Sequence, residues 1–228
     1  MSDVRPPTLW LMPTELERQR FLSRWRVNIP ERVPPPIHLC GFGPIAAGIV
    51  TAQWLEHKRP NEVILLGIGG SFDPVVAPVG TAVEIGSVVT DTVGAQCRGE
   101  ATGAIGKWEL PSELGFPQVP KGLMVPRGEL QFAVNQELEL EFAAGARLLT
   151  VGIASGSRET ALNRQRQFPG VAVEDMEGFS VALACKLVGV RCSIWRGLTN
   201  EVGDREFANW QIDRAMDSLA QLVVRKGV

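Results

Sequence analysis

Residues 171–204 read VAVEDMEGFSVALACKLVGVRCSIWRGLTNEVGD, and the order of patterns in this stretch decides the fold class. An apolar strand, residues 171–173, runs into an acidic turn that holds Glu174, Asp175, Met176 and Glu177. Residues 179–188 follow and are apolar nearly all the way round, which predicts a helix buried in the middle of the molecule. Residues 191–195 form the next strand, and the polar pair Thr199 and Asn200 lies at its tip. Carboxylates ahead of a buried helix are costly unless they bind something or pair. The acidic turn and the polar tip therefore read as two walls of one pocket. Asp175 is expected to be the structural or solvent-facing acid, with Arg196 neutralising Glu174 or Glu177.

Working outward, residues 147–154 (RLLTVGIA) read as a strand that enters the polar turn Ser155-Gly156-Ser157, and residues 160–168 as a basic helix or turn. Residues 129–144 suggest a helix. Residues 94–128 dissolve into glycine, proline and isolated apolar side chains, among them Trp108, Leu114 and Phe116. A structureless stretch of that length in a domain is usually functional or mobile. Upstream, residues 81–93 alternate as one or two strands, and residues 62–66 are a buried strand that delivers the glycine loop Gly67-Ile68-Gly69-Gly70-Ser71. Glycines there let backbone amides approach a ligand, but the Lys-Ser/Thr ending of a triphosphate-binding loop is missing.

Residues 37–40 are another short strand, followed by Gly41-x-Gly43-x-x-Ala46 and a helix. A dinucleotide turn of this form also requires an acid at the far end of the next strand. Glu62 lies at the near end, so those glycines are expected to serve a tight turn and close packing. Residues 8–12 (TLWLM) read as the first strand. Pro13-Thr14-Glu15 opens a helix with Leu16, Phe21, Leu22 and Trp25 expected on its buried side. The last helix begins near Arg205, with apolar spacing at Ile212, Ala215, Met216, Leu219, Leu222 and Val223. Strands alternating with helices predict an α/β layered fold, expected as one domain over residues 1–228.

Composition narrows the function. With 23 Lys and Arg against 25 Asp and Glu, the net charge is −2, which argues against a nucleic-acid partner. No apolar run reaches the roughly 18–20 residues of a membrane span, and no signal-peptide pattern opens the chain. Cys40, Cys97, Cys185 and Cys192 form no C-x-x-C pair, and only His38 and His57 are present, so neither a metal site nor a cofactor is expected. The expectation is a cytoplasmic protein acting on a small molecule. Carboxylates, a glycine-lined wall, a methionine and an amide suit chemistry on a sugar, where one acid positions water and another holds hydroxyls.

Taken together, Pro13-x-Glu15, CGFGPIAAGI, LLGIGGSF, APVGTAVE, ELGF, SGS, DMEG and RGLTN-VGDRE--NW-I resemble the nucleoside phosphorylase and nucleosidase family, in that order and over nearly the whole chain. The resemblance implies a three-layer αβα sandwich around a central mixed sheet. It implies that Glu15 activates the attacking water, with Glu17 as the alternative two residues on, and that Asn200 holds the purine. Glu177 would bind the ribose hydroxyls and Met176 would pack under the sugar. Gly67, Ile68 and Gly69 would line the ribose and water site, and Ile153 and Ala154 would meet the base. Asn at position 200 favours hypoxanthine over adenine as the leaving group. Related phosphorylases hold phosphate with an Arg and a Ser at the positions of Leu65 and Ile68, so water is the expected nucleophile. The implied activity is hydrolysis of a purine nucleoside. The alternatives are a nucleosidase or phosphorylase acting on inosine, methylthioadenosine or adenosylhomocysteine, and, from another class, a non-catalytic nucleoside-binding protein. The implied partners are the nucleoside, water, and further copies of the chain in a homodimer or larger homo-oligomer.

Overall fold

The computed structural model describes residues 8–91, 129–131 and 145–227. In chain order, β1 (Thr8–Met12) leads through Pro13 and the cap residue Thr14 to α1 (Glu15–Asn28), then to β2 (Ile37–Leu39) and α2 (Gly43–Lys58). The strands β3 (Glu62–Ser71) and β4 (Ala82–Thr90) follow, then a short β5 (Glu129–Gln131). Next come β6 (Ala146–Thr150), α3 (Arg158–Gln167), β7 (Val171–Asp175), α4 (Gly178–Leu187), β8 (Arg191–Glu201) and α5 (Ile212–Arg225).

The sheet is mixed. β1 lies between β2 and β3 and is parallel to both. Beyond β3 the pairing closes on itself: β3 runs parallel to β8, β8 antiparallel to β4, β4 parallel to β6, β6 parallel to β7, and β7 antiparallel to β3. Five strands thus form a ring, with β1 and β2 extending it on one side and β5 attached to β4. The long strands β3 and β8 make the closure possible, because each pairs at different heights along its length with different neighbours.

Alternation along the strands sends successive side chains to opposite faces. Leu9, Leu11, Val63, Leu65, Ile194 and Leu198 pack toward α2 and α4, with Ala47, Leu55, Val181 and Ala182. On the other face, Trp10, Met12, Ile64, Leu66 and Trp195 pack against Phe21 and Trp25 of α1 and Met216, Leu219 and Val223 of α5. Helices on both faces of the sheet make the expected three-layer sandwich. No helix among the described residues is long and apolar enough to cross a membrane.

Several expectations are corrected. The glycine segment 67–71 is not a loop: it continues β3 in register with β8, with a bulge between Gly69 and Gly70. Residues 129–131 are strand rather than the start of a helix, because they pair with Ser87, Val88 and Val89. The rest of that predicted helix lies outside the described residues. So do residues 94–128, including Trp108, Leu114 and Phe116, and Cys97. Helix α4 is buried along Gly178, Val181, Ala182 and Cys185 only, while Val188 just beyond it is 60% exposed. In α1, Leu16 is 61% exposed and Glu17 takes a buried place instead.

Candidate active site

A cavity of about 270 Å³ opens where the C-terminal ends of β7 and β8 meet the start of α1. Its floor is charged. Thr14 caps α1, and its hydroxyl accepts the Glu17 amide (3.2 Å) while donating to Glu17 Oε2 (2.5 Å). The other Glu17 oxygen accepts the backbone N–H of Ile68 on β3 (3.0 Å). The carboxyl is therefore fixed by two donors from two elements. Burial pushes its pKa up, against the opposing pull of those hydrogen bonds and of the Arg196 charge.

Glu177 stands across the floor, at the turn between β7 and α4. Its Oε1 accepts the N–H of Gly43 (2.9 Å), so the turn Gly41–Gly43 serves to hold this acid. Gly41 adopts φ +91°, and a Cβ there would lie 2.9 Å from Ala46 Cβ, which is why this turn needs glycine. The pKa of Glu177 is pushed up to about 8, first by burial and then by the neighbouring Asp175 charge. The Cys40 thiol beside this turn is pushed up to about 12 by burial and by Glu177, so it is held neutral and is a poor nucleophile.

Beneath both acids lies Arg196 of β8, fully buried. Its Nε and Nη2 donate to Asp175 Oδ2 (3.0 and 2.5 Å), and Nη2 lies 3.9 Å from Glu177 Oε2. Burial alone would weaken this cation, but Asp175, Glu177 and Glu17 around it raise its pKa. Asp175 also accepts from the Thr150 hydroxyl (2.6 Å) and the Gly178 amide (2.8 Å). It is the structural acid the sequence suggests, but it is buried rather than solvent-facing. Arg196 neutralises it first and Glu177 second, while Glu174 has a different partner.

That partner is Arg164 of α3. Its Nη1 donates to Glu174 Oε2 (3.0 Å) and Ser155 Oγ (2.8 Å), its Nη2 to the Ile153 carbonyl (2.9 Å), and its Nε to Asp91 (3.0 Å). Glu174 in turn accepts the Ser155 amide (2.9 Å) and hydroxyl (2.6 Å). These contacts fix the segment that carries Ala154 and Ser155 as a wall of the cavity.

Asn200 forms another wall, near the end of β8. Its Nδ2 donates to the carbonyls of Glu201 (2.8 Å) and Asp204 (3.2 Å), and its Oδ1 accepts from Thr199 Oγ1 (2.8 Å). With both amide hydrogens committed, Asn200 offers a ligand its oxygen, as an acceptor.

Of the residues the sequence singles out, Ile68, Gly69, Ala154, Met176, Glu177 and Asn200 line the cavity. Three do not. Glu15 faces solvent, pairs with Arg18 (2.5 Å) and accepts from Gln19 (2.9 Å); the place foreseen for it is taken by Glu17. Ile153 has its side chain outside, 79% exposed. Gly67 lies behind the wall, where a Cβ would meet Arg196 Nη1 at 2.4 Å and Glu17 Oε1 at 3.1 Å. Sequence reasoning did not single out Phe42, Ser155, Arg205 or Trp210, which also border the cavity. Chemically, the site joins two buried acids of raised pKa, a cation beneath them and an amide acceptor facing them. Acids tuned toward neutrality suit proton transfer and hydroxyl binding.

A model of the phosphorylase superfamily matches residues 14–225. The chain is 30% identical to a futalosine hydrolase of Thermus thermophilus, over 81% of this chain and 77% of that one. It is 33% identical to a futalosine hydrolase of Streptomyces coelicolor, over 80% and 74%. Among solved structures it superposes on a futalosine hydrolase of Helicobacter pylori with a TM-score of 0.69 at 16% identity, covering 100% of both chains. A 5'-methylthioadenosine/S-adenosylhomocysteine nucleosidase of the same organism gives 0.68 at 13% identity, covering 99% of this chain and 100% of that one. At these identities the two structures speak for the fold.

Proposed function

The chain belongs to the phosphorylase superfamily, and from that premise we propose that it is an N-glycosyl hydrolase that cleaves futalosine to hypoxanthine and dehypoxanthine futalosine, a step toward menaquinone. The observation that carries the reading is the pair Glu17 and Glu177, both buried and each held by a backbone amide from another element. Glu17 takes the proton of the attacking water, and its raised pKa makes it a stronger base than an exposed glutamate. Glu177 binds the ribose hydroxyls with Met176 alongside. As the glycosidic bond loosens, positive charge grows on the sugar, and the acids of the floor stabilise it there. Hypoxanthine leaving with a proton on its five-membered ring donates to Asn200 Oδ1, the one ligand-facing group that amide has left. Water is favoured over phosphate because Leu65 is buried in the core and Ile68 presents a backbone N–H to Glu17 rather than a hydroxyl to an anion.

The enzyme is proposed to work as a homodimer in the cytoplasm. Ile45 and Ile49 of α2 are 79% and 58% exposed, and Phe42, 66% exposed, borders both this face and the catalytic cavity. An apolar hollow of about 760 Å³ lies beside them between α2 and α4. A second copy seated there would cover apolar surface that a monomer leaves to water.

The test is release of free base from futalosine, inosine and methylthioadenosine, with and without phosphate. Hypoxanthine from futalosine without phosphate is the expected result. Adenine release or a phosphate requirement assigns the chain to a sibling activity, and tight binding without turnover makes it a binding protein.

A further inference from the structure

The rim of the cavity carries a cation that bond cleavage does not use. Glu17, Glu174, Asp175 and Glu177 line the cavity, and among the described residues Arg205 is the only basic one that does. Arg205 is exposed at the rim, with its guanidinium 5.2 Å from the centre of the Trp210 ring. Trp210 is itself fixed, since its Nε1 donates to the Asp204 carbonyl (3.3 Å), the same oxygen that accepts from Asn200. The adjacent acid, Asp204, is engaged by the Asn209 amide (3.0 Å) and the Glu206 N–H (2.8 Å). Among the described residues Arg205 forms no ion pair.

The inference rests on the nucleosidase reading for the direction in which a ligand enters. Asn200, Glu17 and Glu177 are all buried, so the base and the sugar hydroxyls point inward. What remains to project through the mouth is the 5′ substituent. We propose that Arg205, stacked on Trp210, is the specificity-determining residue for a carboxylate on that substituent, so that the enzyme takes 5′-anionic purine nucleosides in preference to neutral ones. A planar guanidinium meets a carboxylate through two parallel hydrogen bonds, and stacking on an indole orders its long side chain beforehand. The acidic floor reinforces the choice. An anion is repelled from the bottom of the cavity and attracted at its rim, which fixes the ligand with its neutral base inward.

The experiment compares 5′-O-succinylinosine with its methyl ester, a pair that differs in the negative charge and one methyl group. The readout is the ratio of kcat/KM for acid over ester, together with the ratio of affinities by calorimetry. In wild type both ratios favour the acid. In Arg205→Ala each falls roughly 10- to 100-fold, the loss of charge-assisted hydrogen bonds, mostly through KM. Arg205→Lys recovers part of it, and added salt narrows the wild-type ratio. A ratio that Arg205→Ala leaves unmoved, whether or not overall activity falls, overturns the proposal, since a purely structural arginine would lower acid and ester alike. If neither compound is hydrolysed, the nucleosidase reading fails, and the calorimetric ratio still decides the role of Arg205.

Discussion

Glu15 and Glu17 stand two positions apart at the start of one helix, and the first turn of that helix carries them to opposite environments. Glu15 pairs with Arg18 in solvent, whereas Glu17 is wedged between Thr14 and the amide of Ile68. Glu17→Gln should lower kcat by about 10²–10⁴-fold, the usual worth of a positioned base, while Glu15→Gln should stay within about twofold, since surface pairs matter little. Steady-state rates on futalosine check both. Thr14-x-x-Glu17 was readable as a capping pair, in which the third helical residue turns back on its cap. That signal points to Glu17, whereas the resemblance alone favoured Glu15. Glu177 yields a pH prediction. Its pKa rises from the ordinary 4.5 to about 8 on folding, so the folded state holds its proton more tightly. The contribution to stability is complete below about pH 4.5 and is lost as pH rises through 8. The melting temperature of the unliganded protein should fall over that window, and Glu177→Gln should flatten the fall. An unchanged slope in the variant would show that another group is responsible.

At the scale of elements, β3 is where pattern reading and structure part. The strand 62–66 was legible from its apolar run, but Gly67-Ile68-Gly69-Gly70 carries too few side chains to show a period of two, and glycine ordinarily marks a loop. Pairing with β8 overrides that preference, and the contacts behind the strand explain the composition. A Cβ on Gly67 would stand 2.4 Å from Arg196 Nη1, and one on Gly69 would stand 2.9 Å from Val173 Cγ1. Gly67→Ala should therefore displace the buried guanidinium, with a stability loss of about 1–3 kcal/mol typical of overpacking. Chemical denaturation measures the loss, and activity should drop with it because Arg196 underlies both acids. Helix α5 lies at the other extreme. Its apolar spacing was fully legible, and Ala215, Met216, Leu219, Leu222 and Val223 are all buried. One face meets the core and the other meets water, so the pattern had a single reading. For α4 the apolar circumference had two readings, burial on every side or burial on one side beside an open hollow, and periodicity does not separate them.

For the whole molecule, the layer order followed from alternating strands and helices, but the closed ring of five strands did not. Ring closure depends on β8 pairing with both β3 and β4, and no local pattern records a partner so distant in sequence. The proposed dimer belongs to this scale as well. Leu183→Glu, which sets a charge in the hollow between α2 and α4, should convert the dimer to a monomer in light scattering. Wild type that is already monomeric would remove the dimer from the account. The ring also bears on how the chain is made. During synthesis Glu17, Asp175 and Glu177 leave the ribosome before Arg196 does, and β3 must wait for β8, the one neighbour that pairs along its whole length. Until then the floor would be a knot of like charges with no counter-ion and the barrel of strands would stand open, a state that burial cannot favour. A nascent chain of this protein therefore gains little by folding early. The stretch from β8 onward commits the rest, and a message cut short before Arg191 would yield a product fit only for chaperones and proteases.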